Sequence, residues 1–220
     1  MSVNGQVGIL KKLIRWVADA DELIQREAVN WDFLHKTDYS VSTSVGVAEY
    51  LKPATLGEWD RRTFWIDRTT DNNIQLTEVP YLTWFNTYAI GTQSNSQPNN
   101  IIIKPDSNLA IYNPPDATYA LTANYWRTPL RLVANGDTSL IPEAYIRAII
   151  TRAQMFYAQD QEAWDIYKTA EAEYRDALST LKSNQLPGWE GYRVSDGVTM
   201  TVSTDGYTGD GHGEYSGFNG

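Results

Sequence analysis

The chain has 220 residues, of which 42% are apolar and 20% charged, so it can bury a sizeable core and is not disordered throughout. Its formal net charge of -9, with no cluster among its 18 basic residues, argues against a nucleic-acid-gripping protein, and the absence of cysteine excludes disulfides and thiolate metal sites. No apolar run approaches the roughly 20 residues that cross a bilayer, and the start lacks a signal peptide's order, so we expect a soluble protein made in the cytoplasm.

The first predicted element is an amphipathic helix in an N-terminal helical segment, residues 1–36. Apolar side chains recur mostly three and four residues apart between Val7 and Leu34. The pattern fits one long helix or two short helices that break near Asp19 to Asp21. In either case the apolar stripe needs a partner helix to cover it.

The period changes in residues 37–130, where short runs alternate between apolar and polar side chains. Tyr39, Val41 and Thr43, for example, alternate with serines. The segment is predicted to be an inserted antiparallel β-lobe with one short helix near residues 77–88, capped by Thr77. The polar stretch from Gly91 to Asn100 is predicted to be a loop.

Residues 109–129, LAIYNPPDATYALTANYWRTP, hold two alternating runs on either side of a Pro-Pro-Asp corner. Prolines fix φ, and an aspartate often closes a turn on its own backbone. We therefore expect a hairpin that pairs the strand from Leu109 with the strand from Tyr119 to Tyr125. Pro129 should then stop the second strand.

The helical period returns in residues 138–183. Pro142 suits a first helical position, and two apolar stripes follow, one from Ile146 and one from Trp164. A polar tract, Gln159 to Gln161, separates the stripes and favours a helical hairpin, with one long bent helix as the alternative. The predicted fold class is α+β: a helical bundle, made of the N-terminal helix and a C-terminal αα-hairpin, with the inserted antiparallel β-lobe and a flexible C-terminal tail.

Residues 184–220 form that predicted tail, rich in Gly, Ser, Thr, Asp and Tyr. Such a composition cannot bury enough apolar surface to fold alone. Its spaced aromatic residues are typical of a segment that orders against a partner. The predicted partner-binding residues are Trp189, Tyr192, Tyr207, Tyr215 and Phe218.

No residue pattern in the chain predicts catalysis, a metal or a cofactor. His35 has no second ordered histidine beside it, and His212 lies in a Gly-rich stretch that matches no calcium loop. The carboxylates at Asp19, Asp21 and Glu22, and at Glu171 and Glu173, are better explained as charged helix faces than as a glycosidase pair. We therefore predict that the protein is not an enzyme, and a hydrolase is the least favoured hypothesis.

Tryptophans in the β-region leave one alternative open. Trp59, Trp65, Trp84 and Trp126 could form a platform that stacks sugars, which would make the chain a carbohydrate- or receptor-binding module. Alternating strands place about half of their aromatic side chains in the core, and this explanation is favoured.

The order of these features resembles the head-to-tail connector, or adaptor, proteins of bacteriophages, including the tail tubular adaptors of short-tailed phages. The resemblance covers about residues 7–183 and rests on an ordered set of motifs rather than on one exclusive motif. These motifs are Trp31-Asp-Phe33-Leu34, Leu109-Ala-Ile-Tyr112-Asn-Pro114-Pro115-Asp116, Tyr119, Ala123-Asn-Tyr125, Leu140-Ile141-Pro142-Glu143, Ile146, Ala153 and Asp160.

The resemblance implies a structural protein of the virion without catalysis or cofactor. Members of this family form a ring of about twelve copies that docks beneath the portal protein, extends the DNA channel and offers a platform to tail or nozzle proteins. Their C-terminal segment reaches the portal or a neighbouring subunit. DNA would pass through without sequence-specific binding, and the net acidic charge agrees with a channel that lets DNA slide.

Overall fold

The computed structural model describes residues 5–67, 73–91 and 93–186. It confirms the α+β class. In chain order the helices are α1 (Gly8–Arg26), α2 (Tyr81–Thr87), α3 (Ile146–Asp160) and α4 (Trp164–Gln185). The strands are β1 (His35–Ser42), β2 (Glu49–Tyr50), β3 (Leu56–Trp59), β4 (Trp65–Asp67), β5 (Ile74–Gln75), β6 (Thr77–Glu78), β7 (Asn100–Ile103), β8 (Leu109–Tyr112) and β9 (Ala120–Arg127).

The α1 helix is continuous, so the predicted alternative with a break near Asp19 to Asp21 is wrong. Aspartate disfavours helix interiors because its carboxylate competes for backbone hydrogen bonds. Here the carboxylates have other partners: Asp19 pairs with Arg131, and Asp21 accepts a hydrogen bond from Gln25 one turn later. The helix therefore runs on to Arg26, and a 3-10 turn, Asp32–Leu34, leads into β1.

The α3 and α4 helices form the predicted αα-hairpin and pack against each other, while α1 packs on α3. Glu162 makes the reversal between them in the left-handed region, with φ at 54°. Pro142 precedes a 3-10 turn, Glu143–Tyr145, that leads into α3, so it lies outside the α-helix proper. The core of this helical body contains Ile24, Ile149 and Leu181, together with Trp31 and Leu34 of the turn after α1.

In the residues that the structure describes, nine strands form two sheets. In the first sheet β9 is central: β1 pairs along one edge, while β4 and β3 share the other edge, and β5 follows β4. The second sheet has the order β2-β8-β7-β6. Its β6 and β7 are parallel, which departs from the predicted all-antiparallel lobe because α2 and the following loop carry the chain back to the same end.

The short helix predicted near 77–88 starts later than expected, and Thr77 does not cap it. The Thr77 N–H donates to the Asn99 carbonyl at 3.0 Å, and the Val79 N–H donates to the Ile101 carbonyl at 2.9 Å. These two residues extend the second sheet. Pro80 then occupies the N-cap position, and α2 begins at Tyr81.

The predicted hairpin between residues 109–112 and 119–125 is wrong. The first run, β8, pairs with β7 and β2, whereas β9 pairs with β1, β3 and β4. The Pro-Pro-Asp corner thus carries the chain from one sheet to the other. Its carbonyls are tied to neighbouring loops, since the Ser96 N–H donates to Pro114 and the Gly46 N–H donates to Pro115, both at 2.9 Å.

Thr43 fastens the chain after this corner. Its backbone N–H donates to the Tyr119 carbonyl, and its buried Oγ1 accepts from the Tyr119 N–H, both at 2.8 Å. One residue at the end of β1 therefore aligns the start of β9.

The predicted division into segments 1–36, 37–130, 138–183 and 184–220 stays a prediction.

Replacing this buried acceptor should weaken the lobe. We expect Thr43→Val, which keeps the shape and removes the acceptor of the Tyr119 N–H, to lower the free energy of unfolding by about 1–3 kcal/mol. Thr128→Val is the matched control, because the exposed Thr128 hydroxyl lies 3.4 Å from its acceptor, and we expect a change below about 0.5 kcal/mol. Urea unfolding measures both, and equal effects would contradict the alignment role of Thr43.

Candidate functional site

An uncovered apolar face lies on the N-terminal half of α1. Burial on this helix begins at Ala18, and the inner residues include Ile24 and Gln25. Before that point Ile9, Leu10, Leu13 and Val17 remain exposed. Apolar side chains grouped on one helix face of a folded protein commonly mark an interaction surface.

A groove of about 410 Å³ lies between this face and the linker that precedes α3, residues 130–139. The side of the helix contributes Leu10, Leu13, Ile14 and Val17, and the linker contributes Leu132 and Val133 among others. The sequence interpretation did not single out this groove. The available signal was the apolar run Leu132-Val133-Ala134 between the polar residues Arg131 and Asn135.

Gln25 fixes the linker to α1. Its Nε2 donates to the Leu130 carbonyl at 3.1 Å, and its Oε1 accepts from the Leu130 N–H at 2.9 Å. Gln25 is fully buried, so each of these polar groups needs its partner. The side-chain amide thereby holds the main chain of the linker in the way a neighbouring strand would.

Asp21 extends this buried network. It accepts from Gln25 Nε2 at 2.7 Å and from the Ser139 hydroxyl at 2.5 Å, and Ser139 Oγ accepts from the Ile141 N–H. Burial raises the pKa of the Asp21 carboxyl, and the hydrogen bonds from Ser139 and Gln25 offset part of that effect. The network joins α1 to both ends of the linker.

Two further contacts shape the linker between these fixed points. Arg131 donates to Glu22 at 2.6 Å and also pairs with Asp19, so one guanidinium bridges two carboxylates of α1. Asp137 accepts from the N–H groups of Val133 and Ala134, and these hydrogen bonds hold the pKa of its carboxyl below the usual value. The wall of the groove is therefore held in place before any partner binds.

The histidine and carboxylates considered for catalysis or metal binding contact other side chains of the fold. His35 lies opposite Trp126 in the sheet, with its Nε2 at 3.4 Å from a carboxylate oxygen of Asp60. Glu171 pairs with Arg175, and Glu173 pairs with Arg147. Across the ranges the structure describes, no group of three His, Asp or Glu residues could hold a metal ion.

The four tryptophans of the proposed sugar platform do not share one exposed surface. Trp59 is only 3% exposed and donates its indole N–H to the Ser107 carbonyl at 2.8 Å, which places it in the lobe core. Trp65 is 39% exposed on β4, and Trp84 lies on α2. Trp126 packs against the core of the helical body.

The predicted partner-binding residues Trp189, Tyr192, Tyr207, Tyr215 and Phe218 lie outside the described residues, as does His212. Their role therefore stays a prediction. Among the helices in the described ranges, none is both long and apolar enough to cross a membrane.

The described residues combine a helical body, a β-lobe and exposed apolar faces, and exposed apolar faces are common in proteins that act through contacts with other proteins. The family model described as SU10 adaptor protein matches residues 6–196, and the chain belongs to this family. The match confirms the resemblance to phage head-to-tail adaptors and gives the chain a phage adaptor role. Comparison with curated proteins finds no match.

The buried carboxyl of Asp21 predicts a distinctive pH dependence. Because its pKa is raised in the folded state, its contribution to stability is greatest below the unfolded value of 3.8 and falls as pH rises through the folded pKa. In urea unfolding between pH 3.5 and 7, we expect the stability of the wild type relative to Asp21→Asn to decrease as pH rises.

Asp137→Asn is the matched variant with the opposite sign. The pKa of Asp137 is lowered in the folded state, so its contribution is present above 3.8 and is lost as pH falls through the folded pKa. The stability of the wild type relative to Asp137→Asn should therefore increase with pH. Parallel slopes for the two variants would contradict these assignments.

Proposed function

We propose that the chain is a head-to-tail adaptor that forms a ring, of about twelve copies, beneath the portal protein of a phage head. In this position it extends the DNA channel and attaches tail or nozzle proteins. The observation that carries the proposal is the family match over residues 6–196. The protein would act in the virion at the head-tail junction after assembly in the host cytoplasm.

Separate apolar surfaces support a role with several partners. One is the face of α1, another is α2, where Leu82 is 70% exposed and no residue is buried, and a third surrounds Trp164 at the start of α4. A subunit in a ring needs contacts to two neighbours and to the structures above and below it. Many modest contacts repeated around a ring add to a stable whole.

Charge and side-chain environment agree with a passive channel component. The net charge of -9 gives phosphates no general attraction, so DNA could pass without being retained. We also propose that the chain has no catalytic activity and needs no cofactor. In support, Glu171 and Glu173 of the described region are engaged in ion pairs with arginines.

Assembly on phage heads tests the proposal. We expect the purified protein, mixed with DNA-filled heads that lack tails, to add a ring at the portal vertex in negative-stain micrographs. Light scattering of the free protein measures whether the ring forms before docking. A chain that stays monomeric alone and never decorates the heads would contradict the adaptor role.

Truncation tests the predicted role of the C-terminal residues. A chain that ends before Gly188 loses the five predicted aromatic anchors, and we expect it to keep the helical and β content by circular dichroism. Binding to heads or to neighbouring copies should weaken, since aromatic anchors dominate many interfaces. Loss of folding would instead mean that these residues belong to the core.

A further inference from the structure

Asn135 and Gly136 form the centre of a turn in the linker that precedes α3. The Asp137 N–H donates to the Ala134 carbonyl at 3.1 Å, and this hydrogen bond closes the turn around the two residues. Both of them are exposed. The linker therefore presents an Asn-Gly pair to solvent.

The ends of this turn are fixed, whereas its centre is open. One carboxylate oxygen of Asp137 accepts from the Val133 N–H at 2.6 Å and from the Ala134 N–H at 2.7 Å. The Gly136 N–H, by contrast, donates to no acceptor within the ranges that the structure describes. A Cβ atom on Gly136 would meet no heavy atom within 4 Å beyond its chain neighbours. The Gly136 backbone can therefore rotate relative to the Asn135 side chain.

An asparagine followed by an open glycine can react within the chain. The Gly136 nitrogen, once it has lost its proton, attacks the side-chain carbonyl carbon of Asn135 and closes a succinimide ring, while the side-chain nitrogen leaves as ammonia. Water then opens the ring at either carbonyl and gives aspartate or isoaspartate. Proximity favours an attack within one chain, and glycine leaves the nitrogen unhindered. The only co-reactant is solvent water.

We propose that Asn135 is a site of spontaneous deamidation in the folded protein. Either product carries a carboxyl group in place of the side-chain amide. Isoaspartate also lengthens the main chain by one carbon atom inside the turn that Asp137 closes. This inference is independent of the proposed ring, because the reaction needs only this chain and water.

Deamidation would change the groove beside α1. Asn135 lines this groove, and among the described lining residues Asp137 is the one with a charge. A second carboxylate at Asn135 would place a new charge at the edge of an apolar surface. Burying an unpaired charge is costly, so the converted groove would be less suited to an uncharged partner.

Another exposed asparagine provides an internal comparison. Asn184 lies near the end of α4 and is followed by Gln185, whose side chain hinders an attack by the nitrogen of residue 185. The Asn184 side-chain amide also donates to the Thr180 carbonyl at 3.0 Å. The two other Asn-Gly pairs of the sequence, at 4–5 and 219–220, include residues outside the described ranges.

Peptide mass spectrometry of the full chain tests the proposal. Cleavage after arginine releases residues 132–147, in which Asn135 is the single asparagine, and tryptic cleavage also gives 183–193 with Asn184 alone. After incubation of the native protein, we expect the first peptide to gain the mass difference between a hydroxyl and an amino group and to elute as two isomers. Asn184 should convert at least about tenfold more slowly, because its neighbouring nitrogen is held in the helix.

Gly136→Ala is the matched variant. Its methyl group has space, and the φ of Gly136 is not positive, so we expect the fold to be retained, which circular dichroism checks. The methyl group hinders the attack, and residue 135 should convert at least about tenfold more slowly than in the wild type. Conversion of the wild type should be faster in mildly alkaline than in mildly acidic buffer, because the attacking nitrogen has to lose its proton.

Two results would overturn the proposal. One is an unchanged Asn135 peptide in the native protein with conversion only after unfolding in urea, since the folded turn would then prevent the attack. The other is an equal rate in the wild type and in Gly136→Ala, or at Asn135 and Asn184, since the reaction would then not depend on the Gly136 nitrogen.

Discussion

The body of this adaptor depends on one buried side chain, Gln25, which satisfies both backbone groups of Leu130. A linker crossing a helix normally leaves its N–H and C=O groups to water, and here those of Leu130 are bonded to a buried side chain instead. The amide of Gln25 matches them with one donor and one acceptor, and Asp21 accepts its remaining N–H. A buried polar network that lacks some of its hydrogen bonds costs more free energy than an apolar core. The hydrogen bonds of Gln25, Asp21 and Leu130 therefore depend on one another.

The hydrogen bonds of Gln25 and Asp21 with the linker determine the path of the chain after the lobe. Leu130 is held at the end of the lobe, Ser139 is held at the start of the α3 approach, and the residues between them have to follow α1. Arg131 and Asp137 only refine that path, since both are exposed and surface ion pairs contribute little to stability. The groove therefore results from these fixed points. Hydrogen bonds hold both ends of the linker, and Leu132 and Val133 between them line the groove beside α1.

The sequence predicted the elements whose signals are local and missed those set by tertiary pairing. The spacing of α1, α3 and α4 was sufficient because each buries one stripe against another helix. The run from Leu109 was expected to pair with its sequence neighbour, but β7 and β2 already occupy both of its edges. Thr77 likewise has a good capping side chain, and its backbone is taken by the second sheet instead. The groove was not predicted because no sequence pattern indicates that the Gln25 side chain binds the backbone of the distant Leu130.

The charged side chains of the helical body differ in whether another part of the chain pairs with them. Most ionised side chains of the helical body form an ion pair with a neighbour, as Arg131 does with Asp19 and Lys182 does with Glu27. Lys11, Glu162 and Asp165 form no ion pair among the described residues, and each lies next to or near an exposed apolar side chain in the sequence, Leu10 for Lys11 and Trp164 for the other two. Keeping an unmatched charge beside exposed apolar surface keeps a free subunit soluble and penalises a wrongly placed neighbour. The ring proposed above would need both properties, because its subunits would have to stay in solution and then join one another in a single orientation.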